Sequence, residues 1–198
     1  LVLATLRRRL ADEVGRYGEQ ATESIDTLTR MARAFEINGQ LDEAYQRVFL
    51  TAEILRSWFG ARSRRLLEPL AYLIRICEKR DDVPTALEHH LERHRLLETG
   101  QSSPEELFSS RVALLPIRAM LGQVDDLMQE ATKPQSELST LGSVAASEFA
   151  SVLLPTALRL ERLHWRVQEA VRLLEMALAA VPDNEVSLVC RLQVALAE

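Results

Sequence analysis

Apolar residues recur at helical spacing along the chain, and the first such stretch spans residues 1–17. Its apolar positions lie three or four residues apart, namely Leu3, Leu6, Leu10 and Val14. This spacing predicts an amphipathic helix with Arg7–Arg9 in water. The same spacing predicts helices over about 23–38, 41–58, 64–79, 83–98, 144–163 and 167–180.

Turn-forming residues separate these predicted helices. Gly60 is a C-terminal stop and Ser63 an N-cap for the helix that follows. Gly100 closes the second pair of helices. Ser103 and Pro104 then suit the cap and first position of a new helix.

Two stretches interrupt the helical pattern. Pro116 should kink or end the helix that begins at Pro104. The segment KPQSELSTLGS, residues 133–143, is the longest polar connection marked by Gly and Pro, and we expect a mobile loop there.

One segment recurs at an interval of 42 residues. GQLDEAYQRV (Gly39–Val48) aligns with DDVPTALEHH (Asp81–His90) at a shift of 42, and with WRVQEAVRLL (Trp165–Leu174) at a shift of 126. GQVDDLMQE (Gly122–Glu130) forms an irregular copy at a shift of 83. The alignment places three small residues at one position: Ala44, Ala86 and Ala170. The upstream helices share this register through Leu28, Leu70 and Leu154. A two-helix unit cannot bury its apolar face alone, so we expect the units to stack.

These residues resemble the tetratricopeptide repeat (TPR), whose pattern runs W-x2-L-G-x2-Y, then A-x3-F, then P. Ala44-x3-Val48 and Ala170-x3-Leu174 match the second element, and Pro182 the third. The second copy departs by placing His90 where an apolar residue is expected. The period of 42, with the F-G junction in RSWFGARSRRLLEPLAYL, resembles the long repeats of the kinesin light chain family.

Composition supports an all-α chain and excludes several classes of protein. Leu, Ala, Glu and Arg dominate, aromatic residues make up 5%, and the net charge is −5 with both signs interleaved. That charge pattern argues against a general nucleic-acid binder. No run approaches the roughly 18 apolar residues of a membrane span. Cys77 and Cys190 lack metal-site or disulfide-framework spacing, and we expect both to be buried in the core.

Few residues suggest catalysis or metal binding. His90 and His94 have the i, i+4 spacing of a two-imidazole chelate, but HHLERH is not HExxH and no third ligand is apparent. We predict no metal, no cofactor and no enzymatic activity.

The resemblance implies a concave face built from the first helix of each unit, and three arginines share one position there. They are Arg33, Arg75 and Arg159, with Thr29 and Ala71 one turn earlier and Arg162 adding charge to the last unit. Such a ladder could hydrogen-bond carboxylates of a peptide. The alternative is that Arg33 pairs with Glu36, and Arg75 with Glu78, as surface ion pairs. Asn occurs only at Asn38 and Asn184, so the family's carboxylate clamp for chaperone tails is not supported.

Together these patterns predict an all-α, right-handed α-solenoid of antiparallel helix pairs. The predicted single domain comprises units of about 24–60, 64–100, 104–133 and 144–182 and a partial fifth at 187–198. Because the chain begins without Met and ends in an apolar-periodic stretch, we expect a piece of a longer protein.

The predicted function is that of a cytoplasmic scaffold binding an acidic protein or peptide, with self-association through 187–198 as a further option. The alternative is a sensory or regulatory module that binds a small effector or signal peptide and controls an output domain.

Overall fold

The computed structural model describes residues 2–164, 166–181 and 185–197, and every regular element within them is helical. Contacts divide the chain into two compact units, Leu1–Gly100 and Gln101–Glu198. The first contains α1 (Val2–Tyr17), α2 (Ile25–Ile37), α3 (Leu41–Phe59), α4 (Leu67–Lys79) and α5 (Val83–Thr99). Short 3₁₀ turns at Thr22–Ser24 and Arg64–Leu66 precede α2 and α4. The second contains α6 (Pro104–Val112), α7 (Leu114–Met120), α8 (Val124–Leu141), α9 (Ser143–His164), α10 (Val167–Ala180) and α11 (Val186–Ala197).

Each compact unit has its own apolar core. In the first, α2 packs on α3, α4 on α5, and α3 on α4, around residues such as Phe35, Leu66 and Leu73. In the second, α9 packs on α10 and on α7, around Phe108, Phe149 and Leu173. The division into four repeats and a partial fifth stays a prediction.

The predicted repeat register is confirmed by burial. Ala44, Ala86 and Ala170 are at most 5% exposed, which lets the two helices of each pair approach closely. The matching leucines on the first helices, Leu28, Leu70 and Leu154, are buried as well.

A left-handed residue ends the first helix of three pairs at the same place in the register. Gly39, Asp81 and Gly122 have φ of 74°, 56° and 67°. The following amide then donates to a carbonyl five residues back: Gln40 N to Phe35 O at 2.9 Å, Asp82 N to Cys77 O at 2.9 Å, and Gln123 N to Arg118 O at 3.0 Å. The turn therefore needs one special backbone angle per pair, which glycine adopts most easily.

We expect Asp81→Gly to stabilise the chain by about 1 kcal/mol, because aspartate occupies a left-handed conformation that glycine adopts without strain. Urea denaturation of the two proteins measures the difference. Gly39→Ala is the reverse test and should destabilise by a similar amount, since nothing lies within 4 Å of the added Cβ and only φ opposes it. Equal stability of Asp81→Gly and the parent would show that the aspartate is not strained.

The sequence located most helix ends correctly. Gly60 ends α3 with φ of 82°, and Ser63 accepts a hydrogen bond from Arg65 N at 3.3 Å. Ser103 and Glu106 form a reciprocal capping box at the start of α6, with bonds of 3.1 Å each way.

Pro116 interrupts the helix that begins at Pro104, but the break comes one turn earlier. α6 ends at Val112 and α7 begins at Leu114, with Pro116 inside α7. A proline ring clashes with the carbonyl four residues before it, here that of Val112, so the helix must end before the proline.

The mobile loop predicted at 133–143 is wrong. α8 continues to Leu141 through Pro134, and Gly142 ends it with φ of 82°. Ala131 and Pro134 are buried and Leu138 packs on the same core, a spacing of three and four that gives the polar segment one apolar face.

Cys77 is buried as predicted, but Cys190 is exposed, contrary to the prediction. α11 buries Leu188 and Leu192, which are four residues apart, and Cys190 between them points to the other side. Trp165 and the junction predicted at Pro182 lie outside the described residues. Within the described helices, none combines the length and apolarity that crossing a bilayer requires.

Candidate functional site

A groove of about 400 Å³ lies between α2 and α4 in the first compact unit. Its lining residues are Arg33, Glu36, Ile37, Glu68, Ala71, Tyr72 and Arg75. The repeat explains the arrangement, since Arg33 and Arg75 stand 42 positions apart on neighbouring first helices. The structure thus brings together three of the residues singled out from the sequence: Arg33, Ala71 and Arg75.

Glu36 is the centre of a hydrogen-bond network on one wall of this groove. It accepts from Tyr72 Oη at 2.8 Å, Arg75 Nη2 at 3.0 Å and Lys79 Nζ at 2.6 Å. Its side chain is only 11% exposed. Burial opposes its ionisation, but the hydrogen bonds from Lys79 and Tyr72 and the nearby cations outweigh burial, and the pKa of Glu36 is lowered. Burial, and then the bond to Glu36, raise the pKa of Tyr72 to about 12.

The alternative prediction, ion pairs within each helix, is wrong. Arg75 binds Glu36 on the neighbouring helix, and its guanidinium also lies 4.4 Å from the centre of the Tyr72 ring. Glu78 instead lies near His90. Side chains of adjacent first helices therefore meet across the groove, a contact that spacing along one helix cannot predict.

Arg33 is left without a partner by this network. It is exposed, and among the described residues it makes no salt bridge and no hydrogen bond from its side chain. The groove therefore presents a guanidinium whose five donors have no partner within the described part of the chain.

A second groove, of about 540 Å³, continues from the first and shares Glu68 and Tyr72 with it. It is bounded by α2, α3 and α4, and its apolar lining comprises Ile25, Val48, Leu55, Phe59, Pro69 and Tyr72. Thr29 lies in this groove, where its hydroxyl donates to Ile25 O at 2.9 Å. The repeat pattern does not predict this apolar groove, because the groove forms between helix pairs.

No protein-family model matches the chain, and no curated protein matches it. Solved structures do match. The nearly identical TPR-like repeats of a Podosopora anserina protein assigned as a kinesin light chain share 20% identity, with a TM-score of 0.66 over 90% of this chain and 84% of that one. YrrB, a TPR protein described as having an unusual peptide-binding site, gives 16% identity and a TM-score of 0.51 over 98% of this chain and 86% of that one.

The chain has a TPR-type repeat fold. The predicted resemblance and the all-α, helical-repeat fold class are thereby confirmed. Residues of α2 and α4 line both grooves, and α3 contributes to the larger one.

The remaining predicted site residues, Arg159 and Arg162, lie on α9 of the second compact unit. Arg159 is half-buried and Arg162 exposed, and neither makes a salt bridge with any described residue. Their role in binding stays a prediction.

The two histidines considered as metal ligands have other surroundings. His90 is 8% exposed, and its Nε2 has no hydrogen-bond partner among the described residues. His94 Nε2 lies 3.2 Å from Glu98. The described residues contain no group of three or more side chains that could hold a metal ion.

Proposed function

We propose that this chain is a protein-interaction scaffold that binds a segment of a partner protein along the α2 and α4 face, with no catalysis of its own. The single observation that carries the proposal is the Arg33 guanidinium, which has no partner among the described residues and lies at a groove that continues into an apolar one.

Arg33 supplies the polar part of the proposed recognition. A guanidinium binds a carboxylate through two parallel hydrogen bonds. The Arg33 guanidinium donates no hydrogen bond to any described residue of the chain, so its donors are available to a ligand. Because Glu36 is already occupied by Tyr72, Arg75 and Lys79, it does not compete with a ligand carboxylate for Arg33.

The larger groove supplies the apolar part. Val48, Leu55 and Phe59 line it, and Arg65 lies 3.9 Å over the Phe59 ring at its rim. An apolar side chain entering this groove would lose contact with water, which favours binding by about 25 cal/mol for each Å² buried. We propose that a partner segment places such a side chain here and an acidic residue at Arg33.

Panning a phage-displayed library of random peptides on the immobilised chain tests this function. Enriched peptides should contain an acidic residue near an apolar one, and Arg33→Glu should weaken their binding about tenfold or more, because charge reversal replaces attraction with repulsion. Fluorescence anisotropy of labelled synthetic peptides measures the affinity.

Arg95→Glu is the matched control for this test. Arg95 is an exposed arginine of α5, it makes no salt bridge with the described residues, and it lines neither groove. Binding that survives Arg33→Glu, or that falls equally in both variants, would contradict the proposal. Thermal unfolding followed by circular dichroism verifies that both variants fold.

The alternative function, a regulatory module with a small effector, has one observation in its favour. The apolar groove of about 540 Å³ lies within the range of small-molecule sites, roughly 300–1,000 Å³. A small-molecule library screened by thermal shift would favour this alternative if a compound stabilised the chain and displaced the peptides.

Self-association through 187–198 and a cytoplasmic location also remain proposals. Val194 of α11 is 57% exposed, which supports an apolar contact at this end. Analytical ultracentrifugation over a range of concentrations tests self-association. Imaging of the protein in source cells tests the cytoplasmic location.

A further inference from the structure

We infer that the segment bound on the α2 and α4 face carries a basic side chain as well as an acidic one, and that Glu68 binds the basic one. This inference rests on the proposed function and adds the chemistry and orientation of the partner.

Charges of both signs follow the repeat on this face. Asp26 and Glu68 stand 42 positions apart, and Arg33 and Arg75 follow each of them by seven residues. At 1.5 Å per helical residue, the acidic and basic positions on each helix are separated by about 10 Å along the axis. The face therefore has an acidic end and a basic end.

The chain neutralises one member of each pair itself. Asp26 lies 3.1 Å from Arg30 and 3.6 Å from Arg9, and Arg75 lies 3.0 Å from Glu36. Glu68 is exposed, and its carboxylate has no hydrogen bond or salt bridge within the described part of the chain.

The two charges that remain, Arg33 and Glu68, are opposite in sign and line the same groove. Glu68 occupies the first turn of α4, where the helix dipole favours a negative charge. A segment that carried only acidic residues would bind Arg33 but be repelled by Glu68. A segment with one charge of each sign satisfies both.

This arrangement also fixes a direction. Arg33 is on α2 near the end of that helix, whereas Glu68 is on α4 near its start. The two positions are therefore displaced both across the groove and along it. A segment whose charges match this diagonal in one direction mismatches it when reversed.

The library peptides test the inference through Glu68. Peptides enriched on the parent chain should contain Lys or Arg in addition to an acidic residue, and Glu68→Gln should weaken them about three- to fivefold, the effect of losing one exposed ion pair. Changing the peptide's basic residue to Glu should weaken the binding of the peptide to the parent chain. The same changed peptide should bind the Glu68→Lys variant, because the two charges are then exchanged. Glu88→Gln is the matched control, since Glu88 is an exposed carboxylate of α5 outside both grooves.

The possible results separate the inference from the function beneath it. Peptides that depend on Arg33 but bind the parent and Glu68→Gln equally would overturn the inference and leave the proposed function standing. Peptides that show no dependence on Arg33 would overturn both. Reciprocal restoration of binding by the charge exchange would establish the contact with Glu68.

Discussion

Arg118→Ala is expected to destabilise the second compact unit by about 3 kcal/mol. Arg118 donates to both carboxylate oxygens of Glu130 at 2.7 Å, to Gln123 Oε1 at 2.8 Å and to Asp126 Oδ2 at 3.0 Å. The Arg118 side chain is 12% exposed and that of Glu130 is 23% exposed, so the two bonds to Glu130 form largely out of water and join α7 to α8. Removing the guanidinium leaves a partly buried Glu130 carboxylate without its main partner.

Urea denaturation followed by circular dichroism measures this effect, and two variants test its cause. Arg166→Ala removes a salt bridge from an arginine that is 44% exposed, and should destabilise the chain far less than Arg118→Ala. The double change Arg118→Met with Glu130→Met should recover much of the lost stability, because it replaces both charges with apolar groups. A loss in Arg118→Ala no larger than that in Arg166→Ala would refute the argument.

His90→Leu is expected to stabilise the chain, and by more in acid than at neutral pH. Burial, and then the charges of Arg93 and His89, lower the pKa of His90 to about 4. Glu78 is 3.9 Å away and 56% exposed, too distant and too solvated to hold a proton on the ring. The buried Nε2 has no hydrogen-bond partner within the described residues, which costs on the order of 1 kcal/mol even when the ring is neutral.

The sign of the pH dependence follows from proton binding. Between pH 6.5 and about 4 the unfolded chain holds a proton on His90 that the folded chain does not, so folding stability falls as the pH falls through this window. At pH 5 the loss is on the order of 2 kcal/mol. His90→Leu removes this loss of stability in acid, and it also removes the buried Nε2 that lacks a partner among the described residues.

Denaturation of the parent and the variant from pH 7 to pH 4.5 checks this prediction. His90→Gln should lose the same acid sensitivity without gaining the apolar packing, which separates titration from packing. If the stability difference between the parent and His90→Leu stays constant with pH, then His90 does not titrate as argued.

The repeat was readable from the sequence because its packing requirements are strict. Ala44 and Ala86 must be small for two helices to approach, and Leu28 and Leu70 must be apolar to fill the core, so the shift of 42 remained visible. In the sequence His90 is the residue that breaks the pattern, and the structure places it in a buried position where its Nε2 has no hydrogen-bond partner among the described residues.

The third helix pair was harder to predict because an ion cluster replaces part of its core. The Arg118 carbonyl accepts the same turn hydrogen bond as the carbonyls of Phe35 and Cys77, so Arg118 occupies their place in the repeat. Its charge is satisfied by Glu130 on the next helix, which the pattern of apolar residues does not reveal. The end of α8 was also hard to predict, because most residues of the 133–141 segment are polar and only one face of the helix is apolar.

The candidate site was predictable only in part. Repeat register placed Arg33, Ala71 and Arg75 on equivalent faces, and the structure puts them in one groove. Contacts between helices determine which charged side chains are paired. The main ones are the hydrogen bonds that Glu36 accepts from Tyr72, Arg75 and Lys79. Those contacts are set by distances across the groove that a single sequence does not contain.

The turn shared by Gly39, Asp81 and Gly122 has an evolutionary consequence. The turn requires one residue that tolerates a positive φ, and its hydrogen bonds use backbone groups that every residue carries. The hydrogen bonds of the turn therefore place no requirement on most of its side chains. Duplicated copies of an ancestral helix pair could therefore accumulate different exposed residues while the joint between their helices stayed the same. Divergence of this kind keeps the helix pair and its turn while the exposed residues change. Each copy could then acquire a ligand of its own.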